Sequence, residues 1–270
     1  MIDFFNNFSP LEQAFLASLF SWAMTALGAT TVFFSTREKG WMMDGALGFA
    51  AGIMIAASFW SLLAPAIGMG GRGFIPDWLP ALVGFLAGGF TIWLIDQILP
   101  HFHPSAPDGQ PEGVQTSWKG STLLVLAVAI HNLPEGLALG VAFGAVAHGL
   151  PTATLAGAIA LTIGMGFQNI PEGAAVSLSM RADGKSPMNG FQWGQATGAV
   201  EVVGALLGAA IVLQVQIILP YALGFAAGTM IYVVMEDLIP EAMRGGNRDV
   251  PALGGMIGFA LMMVLDTAFV

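Results

Sequence analysis

The chain has no cysteine among its 270 residues, which excludes disulfides and thiolate metal sites alike. Charge is nearly as scarce. Lys, Arg, Asp and Glu make up 9% of the residues, only 8 of these are basic, and no basic run exists to hold a nucleic acid. The first residues, MIDFFNNFSP, lack a positive segment, so no cleaved signal peptide is expected. What fills the chain instead is apolar. Hydrophobic residues are 56% of the total and mean hydropathy is +0.75, a composition that belongs in a bilayer. The length accommodates about eight helices of ~20 residues with short connections. No room remains for a separate soluble domain, so residues 1–270 are expected to form a single all-α, polytopic transmembrane domain.

Apolar segments fall at about 11–34, 45–67, 78–99, 120–145, 152–180, 191–213, 217–238 and 251–269. The break near Gln214–Gln216 is the shortest. Arg37, Lys39, Lys119, Arg181, Lys185, Arg244 and Arg248 lie in odd-numbered connections, and only Arg72 lies in an even one. This bias predicts odd connections in the cytoplasm and both termini outside, in a multi-pass protein of the inner (plasma) membrane. Leu47-Gly48-Phe49-Ala50-Ala51-Gly52-Ile53-Met54-Ile55 returns as Leu223-Gly224-Phe225-Ala226-Ala227-Gly228-Thr229-Met230-Ile231. The two copies cross the bilayer in opposite senses, the mark of an inverted repeat, here three spans, two spans and three spans.

The two central spans carry the most polar strings. His131-Asn132-Leu133-Pro134-Glu135-Gly136 is matched 37 residues later by Gln168-Asn169-Ile170-Pro171-Glu172-Gly173. An ionised side chain in hydrocarbon costs roughly 2.5–3.5 kcal/mol or more and persists where it has a partner or a task. Both strings fall near mid-membrane, and Glu201 on the sixth span falls at a similar depth. His131 and Glu135 share a helix face at i, i+4, as do Gln168 and Glu172. Asn132 and Asn169 stand one step around. Pro134 and Pro171 each lack an N–H, which predicts a kink and a widened space, and Gly136 and Gly173 permit close helix approach. Three carboxylates, one imidazole and several amide oxygens suit a divalent cation such as Zn²⁺, Fe²⁺, Mn²⁺ or Cd²⁺.

The paired HNLPEG and QNIPEG strings resemble those of the ZIP family of divalent-metal transporters, bacterial branch. The eight spans, the GFAAG segment and the closing Leu265-Asp266-Thr267-Ala268 extend the similarity over nearly the whole chain. The resemblance implies a binuclear centre. One metal would lie among His131, Glu135, Gln168 and Glu172. The second would use Asn132, Glu135, Asn169, Glu172 and Glu201, with Glu135 and Glu172 bridging. Some relatives have Asp where this chain has Asn169, so the second metal would be held more weakly. The resemblance further implies zinc as the usual substrate, homodimers, and an elevator-like movement of spans 1, 4, 5 and 6 against 2, 3, 7 and 8.

Other residues are candidates for the transport pathway. Met54 would be a soft transient ligand, although Met is more often packing. Asp96, His101 and His103 cluster near the cytoplasmic end of span 3, as a metal-release or sensing point or as an ordinary polar loop. Glu236 is favoured as an exit ligand over Met235, Asp237, Glu241 and Asp44, and Asp266 is expected at the outer entrance. An intramembrane metalloprotease is the alternative from another class, but it needs a tight site with an open water position, and the chain lacks His-Glu-x-x-His. A carrier that uses the carboxylates as proton or sodium sites is the third reading. No Arg lies within the spans to catch an organic acid, which weakens it.

Overall fold

The computed structural model of the chain describes residues 2–35, 40–69, 74–98, 120–150 and 152–268. All regular structure among the described residues is helical. Lipid requires this, because a backbone without water must satisfy its own N–H and C=O groups. Among the described residues, seven helices are long and apolar enough to cross a membrane. They are Pro10–Phe33 (span 1), Gly40–Met69 (span 2), Trp78–Ile98 (span 3), Gly120–Val146 (span 4), Pro187–Gln214 (span 6), Gln216–Ala242 (span 7) and Asp249–Ala268 (span 8). Span 5, Leu155–Ala182, has 28 residues, about 42 Å of helix. It packs against spans 1, 2, 4, 6 and 8 and buries most of its residues. It therefore meets protein where the others meet lipid, and its polar string needs no apolar exterior. The eight spans follow the segments expected from the sequence.

Local chemistry sets where several spans begin. Ser9, Thr154 and Ser186 each accept a backbone N–H at the start of spans 1, 5 and 6, and Pro10 and Pro187 follow directly, where a missing N–H costs nothing. Glu12 returns the bond to Ser9 and completes a capping box. Between spans 5 and 6 the chain reverses through Gly184, whose φ of 83° favours glycine.

The spans form two bundles. Spans 1, 4, 5 and 6 pack together, most extensively span 4 on span 6 and span 1 on spans 5 and 6. In the other bundle span 2 packs along span 8, and span 3 along span 7. Glycines make these contacts backbone to backbone. A Cβ on Gly48 or Gly52 would overlap the main chain of Pro251 or Gly255, and one on Gly224 or Gly228 would overlap that of Ala81 or Phe85. These are the glycines of the repeated GFAAG segments, so each half of the chain uses the same device on the same kind of neighbour. The motif bundle repeats the pattern: Gly136 abuts the Glu201 main chain, and Gly173 abuts that of Thr25. The inverted repeat is thus a property of the packing as well as of the sequence. Alanine at Gly52 or at Gly228 should each lower stability by about 1–3 kcal/mol, read as matching drops in thermal midpoint in detergent. Unchanged midpoints would contradict the close contact.

One feature of the repeat is invisible in the residues. Ser58–Leu63 in span 2 and Val234–Leu238 in span 7 are π-helical. Each begins three residues past its copy of the GFAAG segment, after Ile55 and Ile231. Such wide turns re-aim the side chains that follow and recur at functional sites.

Candidate metal centre

Spans 4 and 5 run antiparallel and bring the two polar strings side by side. Gln168 Nε2 donates to Glu135 Oε1 at 2.6 Å. Asn169 Nδ2 donates to Glu201 Oε1 on span 6, also at 2.6 Å. The same nitrogen reaches span 1, with Ser21 Oγ at 2.8 Å and the Ser21 carbonyl at 3.3 Å. The carboxyl groups of Glu172 and Glu201 both lie within electrostatic reach of Glu135. Asn132, Gln168, Asn169 and Glu201 are fully buried, and Glu135 and Glu172 are 1% and 7% exposed. These contacts link Glu135 with Gln168, Glu172 and Glu201, and Glu201 with Asn169; Asn132 is buried on the same helix as Glu135.

The chemistry of this set is unbalanced. Asn132 Oδ1, Glu135 Oε2, Gln168 Oε1, Asn169 Oδ1, Glu172 Oε2 and Glu201 Oε2 are buried without a hydrogen-bond partner. Leaving a buried polar atom unpaired costs about 1–3 kcal/mol. Acceptors outnumber donors, and a cation is the species that restores the balance. Hard oxygen donors with one nearby imidazole fit a divalent metal. Among the described residues, however, no three His, Asp or Glu side chains close on a single point. Amide nitrogens stand against two of the carboxylates instead.

The seventh residue, His131, has a partner on span 7. Its Nε2 lies 3.1 Å from Asp237 Oδ2 on span 7, and its side chain is 13% exposed. The i, i+4 spacing put His131 and Glu135 on one helix face, but Glu135 is held by Gln168. A carboxylate on a metal-binding imidazole fixes its orientation, and loss of such a partner typically costs 10–100-fold in affinity. Asp237→Asn should accordingly weaken zinc binding by about 10–100-fold while the protein remains folded, as measured by calorimetric titration. Wild-type affinity would remove Asp237 from the site.

The proposed pathway residues divide between the two sides of the centre. Asp96, 7% exposed, Glu236 and Asp237 lie within electrostatic reach of the Tyr232 hydroxyl. On the far side Asp266 accepts a 2.6 Å bond from the Ser61 hydroxyl. Asp266, Ser61, Trp60, Thr152 and Thr154 line a cavity of about 180 Å³. Met54 is 1% exposed and packed in the apolar core, where its carbonyl accepts from Ser58. His101 and His103 lie outside the described residues. Spans 4 and 5 remain helical through Pro134 and Pro171.

Sequence reasoning passed over Asp237 in favour of Glu236 and did not single out Ser21 or Ser61. A signal for Ser21 existed. Ser18, Ser21 and Thr25 fall at helical spacing in span 1, and all three are fully buried, a polar stripe with no place in a lipid-facing helix.

The family model for the ZIP zinc transporter matches residues 107–266, more than half of the chain. The protein belongs to the ZIP family. It is 38% identical to zinc transporter ZIP11 of Homo sapiens, with 96% of this chain and 97% of the relative aligned. It is 37% identical to zinc transporter GufA of Myxococcus xanthus, over 93% of this chain and 96% of that protein. Zinc transporter ZIPB of Bordetella bronchiseptica is also 37% identical, over 94% of this chain and 81% of the relative. As a ZIP family member the chain is a divalent-metal transporter of the membrane, not an enzyme, and the metalloprotease alternative falls.

Proposed function

We propose that this ZIP protein carries zinc into the cytoplasm through the centre between spans 4, 5 and 6, with Cd²⁺, Fe²⁺ and Mn²⁺ as further candidate substrates. The observation that carries the reading is the set of six unpartnered buried oxygens on these motif-bearing spans and span 6. His131, Glu135, Gln168 and Glu172 form the first ion position. Asn132, Asn169 and Glu201, with Glu135 and Glu172 bridging, form the second. Zinc as substrate is favoured by the names of the relatives.

Direction rests on the basic residues of the odd connections, which favour a cytoplasmic location for that side and outer locations for both termini. His131, Asp237, Glu236 and Asp96 then form the inner exit route, and Asp266 the outer entrance. Residues 124–131 of span 4 are partly exposed, whereas residues 158–162 of span 5 are buried. That difference supports an arrangement open towards the inner side.

The division into two bundles favours elevator-like movement. Main-chain glycine contacts join spans within each bundle, as at Gly136 and Gly228, while Gly164 of span 5 meets the Met262 side chain of the other bundle. The whole chain acts as one transporter unit, assembled as a homodimer in the plasma membrane. Native mass spectrometry tests the assembly, and a single-chain mass would remove it.

The deciding experiment is uptake of Zn²⁺, Cd²⁺, Mn²⁺ and Fe²⁺ into metal-free liposomes that contain the intact protein. Flux above empty liposomes is the expected result, and its absence would sink the transport reading. Uptake of protons or sodium without metal would instead favour the ion-coupled carrier.

A further inference from the structure

The two amides at the centre are not held alike. Gln168 Nε2 donates to one carboxylate oxygen, Glu135 Oε1. Asn169 Nδ2 has three acceptors: Glu201 Oε1, Ser21 Oγ and the Ser21 carbonyl. The Ser21 hydroxyl also lies close enough to Glu201 to interact with it. Span 1, span 5 and span 6 thus close a three-membered ring of side chains, Ser21–Asn169–Glu201.

The orientation of the Asn169 amide follows from this ring. A backbone carbonyl only accepts, so the Ser21 carbonyl excludes the amide oxygen from its side and selects the nitrogen. The nitrogen then occupies the space against Glu201 that a cation bridging Asn169 and Glu201 would need. Span 1 has little freedom to withdraw. Gly28 abuts the Ile170 main chain, Gly173 abuts that of Thr25, and Trp22 Nε1 donates to the Gln195 carbonyl at 2.8 Å. The counterpart of Asn169 in the other motif behaves differently: Asn132 is buried with both amide atoms unpartnered, so nothing comparable fixes its orientation.

We propose that Ser21 is a positioning residue which, by holding the Asn169 amide on Glu201, closes the second ion position until the first is filled. The inference rests on the two-position centre proposed above and adds an order of filling. The first position opens by breaking one hydrogen bond, from the Gln168 amide to Glu135, whereas the second opens only by breaking the ring. A metal at the first position brings positive charge to Glu135 and draws Glu172, the bridging carboxylates, before any change at Glu201.

The test titrates Zn²⁺ into the purified full chain in detergent, followed by calorimetry and by metal analysis of the gel-filtered protein. Wild type is expected to take one ion tightly and a second weakly. Ser21→Ala removes one acceptor of the ring and should tighten the second step by about fivefold, the equivalent of one net hydrogen bond. Ser21→Thr keeps the hydroxyl and should restore the wild-type curve. A purely structural role would predict weaker binding in Ser21→Ala, not stronger.

Asn169→Asp attacks the same ring from the other side. It replaces the donor with an acceptor facing Glu201 and the Ser21 carbonyl, so a tightly bound second ion is expected even if Ser21→Ala folds poorly. Superimposable curves for wild type and Ser21→Ala, or no gain in Asn169→Asp, would overturn the ring. Glu135→Ala separates this from failure of the centre itself. If it loses zinc while the Ser21 variants match wild type, the ring alone is wrong. If it retains wild-type zinc binding, the two-position centre fails and the ring with it.

Discussion

Zinc uptake by the Glu135→Ala variant in liposomes is expected to fall to the level of empty vesicles. Glu135 belongs to both proposed ion positions, so its removal takes a ligand from each. The protein itself should survive the change. Glu135 is 1% exposed, and its Oε2 is buried without a partner. Two further carboxyl groups press on it electrostatically. Its loss leaves the Gln168 amide without its acceptor, a cost of about 1–3 kcal/mol, but it also relieves a crowded set of acidic groups. These effects oppose each other, so the thermal midpoint should move little while transport disappears. Near-normal uptake by a well-folded Glu135→Ala protein would contradict the assignment. Loss of uptake together with a collapsed midpoint would mean that Glu135 serves the fold.

Gly136→Ala should damage both stability and metal binding, although Gly136 contributes no ligand. Its missing Cβ lets span 4 lie against the Glu201 main chain, and a methyl group there would overlap the Glu201 carbonyl. The overlap is with backbone, which cannot swing aside as a long side chain can. The spans must separate, with a loss of about 1–3 kcal/mol. Separation also moves Glu201 away from Glu135 and Glu172. Supporting contacts of this kind are typically worth 10–100-fold in metal affinity, and zinc binding is expected to weaken by about that factor. Gly40→Ala is the matched control, because a Cβ there meets nothing within 4 Å, and its stability should stay within about 0.5 kcal/mol of wild type. The contact argument predicts a clear difference between the two substitutions in a thermal melt; equal midpoints would refute it.

The sequence by itself determined which residues are out of place in a bilayer, and those residues mark the proposed centre. Apolar length fixed the spans, and the depth of the PEG strings and of Glu201 followed from counting along them. The recurrence of GFAAG revealed the inverted repeat, because glycine spacing along a helix records where another backbone must pass. These are one-dimensional properties: periodicity, composition and the cost of charge in lipid.

Tertiary structure decided what each side chain touches. His131 turns to Asp237 on span 7, a partner more than a hundred residues away whose position depends on how the two bundles meet. Ser21 joins the centre because glycines hold span 1 against spans 5 and 6, and no local pattern states which carbonyl its neighbour will face. The π-helical turns in spans 2 and 7 depend on the hydrogen bonding of the folded helix, not on a distinctive residue. Helix periodicity assigns a residue to a face. Only the packing of distant helices assigns that face a partner, because the choice is made by contacts that do not exist until the bundle has formed.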